Sequence, residues 1–297
     1  MKTLLVTGIS GFLGLEVAKY KQDEWNIVGI FHENTMNIEN IKTIQCDLSE
    51  KFDYFKKIII DIKPQAILHL AACSNPNDCE IEPSKSEKLN IELTIQLANI
   101  CKKNNIYLLF TSTDLVFSGN EPPYNENSIP NPINVYGKHK LSAENYILQQ
   151  NMKACIARLP LMYGINTPID SFLKSWINKI YNDEEIYAFT DEYRSMTSGK
   201  SIVSGLFLFL NQEVNGIWHL GGKERISRYE FMNYVVKIFH LPHGNIIKTK
   251  QKDLFLSKKQ AKRPSDLTLV SKKAYSIGYN PLSIEDSLTE MYNELYN

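Results

Sequence analysis

Residues 2–14 read Lys-Thr-Leu-Leu-Val-Thr-Gly-Ile-Ser-Gly-Phe-Leu-Gly, an apolar run that passes directly into three glycines spaced GxxGxxG. The run has the length and branched, apolar character of a strand, and Gly11–Tyr20 behind it has the apolar spacing of a helix. A glycine turn between strand and helix lets the backbone approach a ligand. It also presents the helix N-terminus, whose free amides and dipole favour a negative group. The turn therefore predicts a dinucleotide pyrophosphate over Gly8, Ser10, Gly11, Phe12, Leu13 and Gly14. The alternative is a tight strand–helix turn with no ligand.

The same alternation continues. Trp25–Phe31, Ala66–Leu70, Tyr107–Thr111 and Cys155–Leu159 read as short β-type runs, and Ser84–Lys103 and Val135–Gln150 as helices. Asn104-Asn105 marks a stop for the first of these helices. Strands separated by helices imply crossover connections, hence an α/β fold with a doubly wound parallel sheet. After about residue 160 the pattern loosens. Pro168–Glu185 suggests a loop and an amphipathic helix. Ile217–Leu220 is a strand, followed by Gly221-Gly222 and a helix with apolar Phe231, Tyr234, Val235 and Ile238. Lys248–Arg263 reads as polar surface. The expected division is a dinucleotide-binding domain over 1–165, with returning segments near 195–221, and a smaller, mainly substrate-binding domain over 166–297.

Charge narrows the partners. Lys+Arg and Asp+Glu are both 33, so nothing in the net balance points to nucleic acid or an anionic membrane. The five cysteines form no CxxC pair and are odd in number, which favours free buried thiols over a disulfide framework or a zinc site. Gly8, Ser10 and Gly11 interrupt the N-terminal apolar run too early for a signal-peptide core. The apolar stretch Ile202–Leu210 falls short of the ~20 residues of a membrane helix. The expectation is a cytoplasmic protein.

A nicotinamide dinucleotide has two ends to be held. At the adenosine end, an Asp or Glu closing the second strand would bind the ribose 2′-hydroxyl of NAD. The chain has His32 there and Glu33 one position later; the absence of the acid leans the reading from NAD to NADP, while no Arg is adjacent to grip a 2′-phosphate. Asp47, with Leu48 beside it, is placed either to accept the adenine amino group or to cap a helix. At the other end, Tyr136 and Lys140 stand four apart at a helix start and so share one face. A tyrosine titrates near ~10, and a nearby ammonium and an oxidised nicotinamide ring would favour its phenolate. Thr111-Ser112-Thr113-Asp114 follows the strand that begins at Tyr107, placing hydroxyls where parallel sheets bind ligands. Thr113 is positioned to hydrogen-bond a reacting carbonyl beside Tyr136.

VTGISGFLG, HLAA at 69–72, STDLVF at 112–117 and YGKHK at 136–140 resemble the extended short-chain dehydrogenase/reductases, in particular the dTDP-4-dehydrorhamnose reductase group. Arg158 before Tyr163-Gly164, Asp191-Glu-Tyr-Arg-Ser195 and Arg263-Pro264 extend the similarity along nearly the whole chain. The resemblance implies a Rossmann-like domain, NADP or NAD, and a nucleotide-sugar substrate in a C-terminal cleft. It makes Thr113, Tyr136 and Lys140 the catalytic triad. It places Leu70, Ala71, Ala72 and Thr111 against the cofactor, and Asp114, Val116, Phe117, Met162 and Arg194 on the substrate side. The partners implied are a small molecule and, as one arrangement, a second copy in a homodimer, with neither nucleic acid nor membrane.

Nucleotide-sugar dehydratases of the wider superfamily carry Thr-Asp-Glu, where this chain has Leu115, which moves no proton. Ketone reduction is therefore expected rather than elimination of water. Met162 replaces the aromatic of rhamnose-pathway reductases, and Ser195-Met-Thr-Ser replaces their Pro-Thr-Tyr segment. Residues 158–164 lie closer to the β subunit of methionine adenosyltransferase. A cofactor-binding regulatory subunit and an epimerase therefore stand as alternatives. His69 is expected to be a core histidine and His139 a surface one. Asn90 either supports a relay water or packs. Arg194 and Arg263 either bind a substrate diphosphate or are solvated.

Overall fold

The computed structural model describes residues 1–20, 23–33, 38, 41–165, 172–242, 246–254 and 260–296. Seven strands form its central sheet: β1 (Lys2–Thr7), β2 (Trp25–Phe31), β3 (Lys42–Gln45), β4 (Ala66–His69), β5 (Tyr107–Thr113), β6 (Ala154–Leu159) and β7 (Gly216–His219). Their order is β7-β6-β5-β4-β1-β2-β3, with every neighbouring pair parallel. The chain runs outward from β1 to β3 and then returns to β4 on the other side of β1. That reversal opens a crevice at the carboxyl ends of β1 and β4, the place where such sheets hold ligands.

Side-chain alternation builds two faces. Leu4, Val6, Leu109 and Ala157 point to one side, where they pack with Val17 of α1 (Phe12–Lys19) and with Ile202, Leu206 and Phe209. Leu5, Leu108, Phe110 and Ile156 point to the other. There they meet α2 (Phe52–Ile62), α3 (Leu93–Asn104) and α4 (Val135–Gln149) through Phe55, Ile59, Leu97, Ala143 and Ile147. Period-two burial on two sides is what a doubly covered parallel sheet requires. A third apolar cluster joins Tyr163, Leu173 and Ile177 of α5 (Phe172–Tyr181), Phe231 and Val235 of α7 (Arg228–Ile238), and Leu288 of α8 (Ile284–Tyr296). Between them in sequence lies α6 (Gly199–Gln212), so the apolar run Ile202–Leu210 is a buried helix on the sheet.

Several boundaries differ from the sequence pattern. β5 continues two residues past Thr111. The helix expected over Ser84–Lys103 is broken into Pro83–Glu87, a π-turn at Lys88–Glu92, and α3. Asn105 ends α3 in the left-handed region, with φ of 53°. Tyr234 of α7 is exposed rather than buried. Pro168 and the expected loop around it lie outside the described residues, as do Asn34 and residues 255–259 of the Lys-rich stretch.

One buried ion pair fastens α4 to the sheet. Glu144 of α4 and Arg158 of β6 are each about 1% exposed. Arg158 Nη2 donates to Glu144 Oε2 at 2.6 Å and Nε to Oε1 at 3.1 Å, while Ser112 of β5 donates its hydroxyl to the same carboxylate. Arg158→Ala would strand the carboxylate among apolar neighbours. It is expected to lower unfolding stability by about 3–5 kcal/mol, measurable by urea denaturation.

A second buried acid points to a pH effect. Glu16 of α1 lies against Gly199 at the start of α6, and burial pushes its carboxyl up to about 7; Glu294 adds to the rise and Lys19 opposes it. The folded state then holds a proton that the unfolded chain has released, so this group costs stability as pH rises from about 4.5 to 7. Glu16→Gln should be more stable than the wild type at pH 7.5, by up to about 3 kcal/mol. The difference should shrink to nothing below pH 4.5 in paired denaturation curves.

Candidate active site

A cleft of about 1400 Å³ opens above the carboxyl ends of the strands. Gly8, Ser10, Gly11, Phe12, Leu13 and Gly14 line it at the β1–α1 turn. Gly8 has φ of +72°, and a Cβ there would come within 2.9 Å of the Ala71 backbone, so this position excludes a side chain on both counts. Gly11 stands at the N-cap of α1 and supplies no side-chain cap. First-turn amides of α1 are thus left facing the cleft, the arrangement that takes a phosphate. Leu70, Ala71, Ala72 and Thr111 form the floor beside this turn. These features fit a dinucleotide: a small-residue bed, an uncapped helix start, and polar groups at each end.

At one end, His32 Nε2 lies 3.2 Å from Asp47 Oδ2. Asp47 Oδ1 accepts from the Ser49 amide at 2.9 Å and its hydroxyl at 2.7 Å, and the Ser49 hydroxyl is the main reason its carboxyl titrates below the usual range. Asp47 caps this short turn and not a helix, since Lys51 occupies the N-cap of α2. Leu48 lines the same end.

At the other end stand Thr113, Tyr136 and Lys140. Asn134 caps α4 by accepting from the Gly137 amide at 2.8 Å, which starts the helix one residue before Tyr136. A Cβ on Gly137 would lie 2.2 Å from the Leu115 carbonyl, so only glycine lets the first turn of α4 seat against the turn after β5. Thr113 Oγ1 accepts from the Leu115 amide at 3.2 Å and lies 3.3 Å from Asp114 Oδ1. Lys140 is buried with its Nζ 4.0 Å from the Phe110 ring centre. Burial pushes its ammonium down to about 7, against the pull of Glu144.

The expected lowering of the tyrosine pKa by Lys140 does not hold in the protein alone. Burial pushes the Tyr136 phenol up, with Cys79, Asp114 and Cys73 adding to the rise.

His69 is a core histidine, paired through Nδ1 with Thr7 Oγ1 at 2.7 Å and through Nε2 with Thr94 Oγ1 at 3.1 Å. Burial, with Lys140 contributing, drives its pKa down to about 3, so it stays neutral. His139 is half-buried, 3.3 Å from Ser86 Oγ, rather than a surface residue. Asn90 sits in the π-turn and uses its amide on the backbone of Cys73, accepting from N–H at 2.9 Å and donating to the carbonyl at 3.0 Å.

The substrate side departs further from expectation. Asp114, Met162 and Arg194 line the cleft, but Val116 and Phe117 do not. The turn over Asp114–Val116 rotates both into an apolar cluster, where Phe117 stacks on Tyr124 at 4.2 Å. Arg194 is not solvated. Its Nη1 donates to Asp114 Oδ2 at 2.8 Å and its Nη2 to Glu192 Oε1 at 3.2 Å. Arg263 is partly buried and donates to Asn77 Oδ1 at 3.2 Å. Among the lining residues that the sequence reading gave no site role are Glu192 and Arg228. Arg228 opens α7 behind a Ser227–Glu230 capping box, a pattern visible in sequence as Ser-Arg-Tyr-Glu. Its Nη1 has no hydrogen-bond partner among the described residues, and its Nε lies 3.6 Å from Glu192.

The sequence matches the family model described as RmlD substrate binding domain over residues 1–297. It is 29% identical to the methionine adenosyltransferase 2 subunit beta of Xenopus laevis, over 82% of this chain and 73% of that protein. A crystal structure of a hypothetical dTDP-4-dehydrorhamnose reductase from Sulfolobus tokodaii is 30% identical and superposes with a TM-score of 0.83, covering 96% of this chain and 98% of the other. The dTDP-4-dehydrorhamnose reductase of Bacillus anthracis in complex with NADP is similar in fold, with a TM-score of 0.86 at 21% identity over 99% of each chain. With the family match spanning every residue, this chain belongs to the RmlD substrate binding domain family.

Proposed function

We propose that the protein is an NAD(P)H-dependent reductase of a keto group on a nucleotide-linked sugar. The observation that carries the reading is the convergence of Thr113, Tyr136 and Lys140 on one cleft whose far wall is an uncapped helix start. Bound in that cleft, a reduced nicotinamide supplies hydride to the carbonyl carbon. Thr113 orients the carbonyl oxygen through its hydroxyl. Tyr136 donates its phenolic proton to that oxygen as the alcohol forms. A phenol whose pKa is raised by burial is fully protonated at neutral pH, the form a proton donor needs. Lys140, one turn away on the same helix face, holds the nicotinamide ribose and stabilises the phenolate left behind. Leu115 offers no base for elimination.

The dinucleotide is read as NADP in preference to NAD, because His32 stands where an acid would bind the 2′-hydroxyl. The Bacillus anthracis reductase of the same fold holds NADP, which supports a nicotinamide cofactor here. The substrate side carries three guanidiniums, Arg194, Arg228 and Arg263, beside the carboxylates of Asp114 and Glu192. The spare donor atoms of Arg228 suit a substrate phosphate. The resemblance to methionine adenosyltransferase 2 subunit beta favours a second reading, a regulatory subunit that binds the cofactor without turning over a sugar.

Oxidation of NADPH by dTDP- and UDP-linked 4-keto sugars separates these readings. The reductase reading predicts turnover that Tyr136→Phe lowers by about 10²–10⁴-fold. No oxidation with any sugar nucleotide, or undiminished turnover in the variant, contradicts it. A pH effect on binding also follows. The Lys140 ammonium is lost as pH rises through about 7, so affinity for NADPH should weaken from pH 6 to 8. Lys140→Met should bind less tightly and flatten that dependence, as read by fluorescence titration.

A further inference from the structure

We propose that Cys73 and Cys79 are a redox modification site, a thiol pair that peroxide converts to a disulfide beside Tyr136, with loss of turnover. The modification itself is independent of the reductase reading; the loss of turnover rests on it.

The two sulfurs lie 3.7 Å apart, and the Cys79 thiol donates to the Cys73 carbonyl at 3.3 Å. Cys73 follows the floor residues Leu70–Ala72 and lines the cleft, half-buried and open to a small solute. Cys79 is fully buried in the short helix Pro76–Ile81. Asn90 grips the Cys73 backbone on both sides, and its amide nitrogen lies 3.9 Å from Cys79 Sγ, so one side chain fixes both positions. Cys101 and Cys155 are buried away in the packing of the sheet, and Cys46, though it borders the cleft, is also buried.

The chemistry divides by exposure. Cys73 meets peroxide first: its sulfur attacks the O–O bond, an S–O bond forms, and the departing oxygen leaves as water with the thiol proton. Cys79 sulfur then attacks Cys73 sulfur, an S–S bond forms, the S–O bond breaks, and a second water leaves. Two thiols and one peroxide become one disulfide and two waters. The sulfurs lose two electrons and the peroxide gains them. Burial, with Cys73 adding, pushes the Cys79 thiol up to about 12, so Cys79 is not the sulfur that meets peroxide; it attacks only as its proton passes to the hydroxyl leaving Cys73.

Closing the gap from 3.7 Å to a bond of about 2 Å moves a segment bolted to both halves of the cleft. Glu80 accepts from the Val135 amide at 2.9 Å, where the Tyr136 helix begins. Asn77 accepts from the Ala261 amide at 3.1 Å and from Arg263 at 3.2 Å. A shift at 73–80 therefore reaches the proton donor and the substrate-side cations together.

The test treats the purified full chain with hydrogen peroxide and reads intact mass, peptide maps and NADPH-dependent turnover. The expected result is a mass loss of about 2 Da and a peptide joining residues 73 and 79. Turnover should fall with it, and dithiothreitol should restore both. Cys79→Ser should show oxygen addition at Cys73 with no such mass loss. Absence of the 73–79 link in the wild type overturns the proposal, as does a complete link with unchanged turnover. Should the reduced protein turn over no sugar nucleotide, the reductase reading fails and the mass measurement alone decides the thiol pair.

Discussion

The seating of α4 on the ends of β5 and β6 governs the rest of the molecule. Helix α4 carries Tyr136 and Lys140, and it reaches the cleft only because Gly137 lets its backbone touch the Leu115 carbonyl. The Glu144–Arg158 pair, joined by Ser112, fastens the far side of the same helix to two strands. Charges this deep are costly unless paired and hydrogen-bonded; Glu144 accepts from Ser112 and from Nε and Nη2 of Arg158, while Arg158 Nη1 finds no hydrogen-bond partner among the described residues. A close backbone approach at one turn and a buried ion pair two turns later leave α4 one way to lie. Thr113, at the end of β5, is then opposite its first turn.

That placement has an electrostatic consequence. Both groups are buried deeply enough that desolvation acts against their charged forms, raising the tyrosine and lowering the lysine. The protein alone thus holds a protonated phenol beside a half-charged amine, with His69 behind them fixed as a neutral, doubly hydrogen-bonded ring. Across the cleft, Arg194 and Arg228 pair with Asp114 and Glu192, and Arg263 lines the same wall.

Much of the fold is legible in sequence where local chemistry and tertiary packing agree. β1 and β2 run from Lys2 to Thr7 and from Trp25 to Phe31, as their branched, apolar runs predict. The glycine turn is readable because only a backbone forced to φ of +72° against another loop needs Gly8. Helix α2 is not announced, since Phe-Asp-Tyr-Phe-Lys-Lys-Ile-Ile-Ile-Asp-Ile is as rich in β-branched residues as a strand. Packing of Phe55, Ile58 and Ile59 against the sheet decides it. Val116 and Phe117 sit beside Thr113 in sequence, yet a single tight turn sends them into the core. Arg228 and Glu192 stand 36 positions apart among other charged residues, and tertiary structure singles them out by bringing them to one cleft. Cys73 and Cys79 lack the spacing of a redox motif, and only the turn between them brings the sulfurs together.

A crystal structure of the protein grown with NADPH addresses the central claim most directly. The account predicts the pyrophosphate on the first-turn amides of α1, with the nicotinamide ring packed beside the Tyr136 hydroxyl and its ribose on Lys140. A dinucleotide bound elsewhere, or a ring turned away from Tyr136 and Lys140, would contradict it.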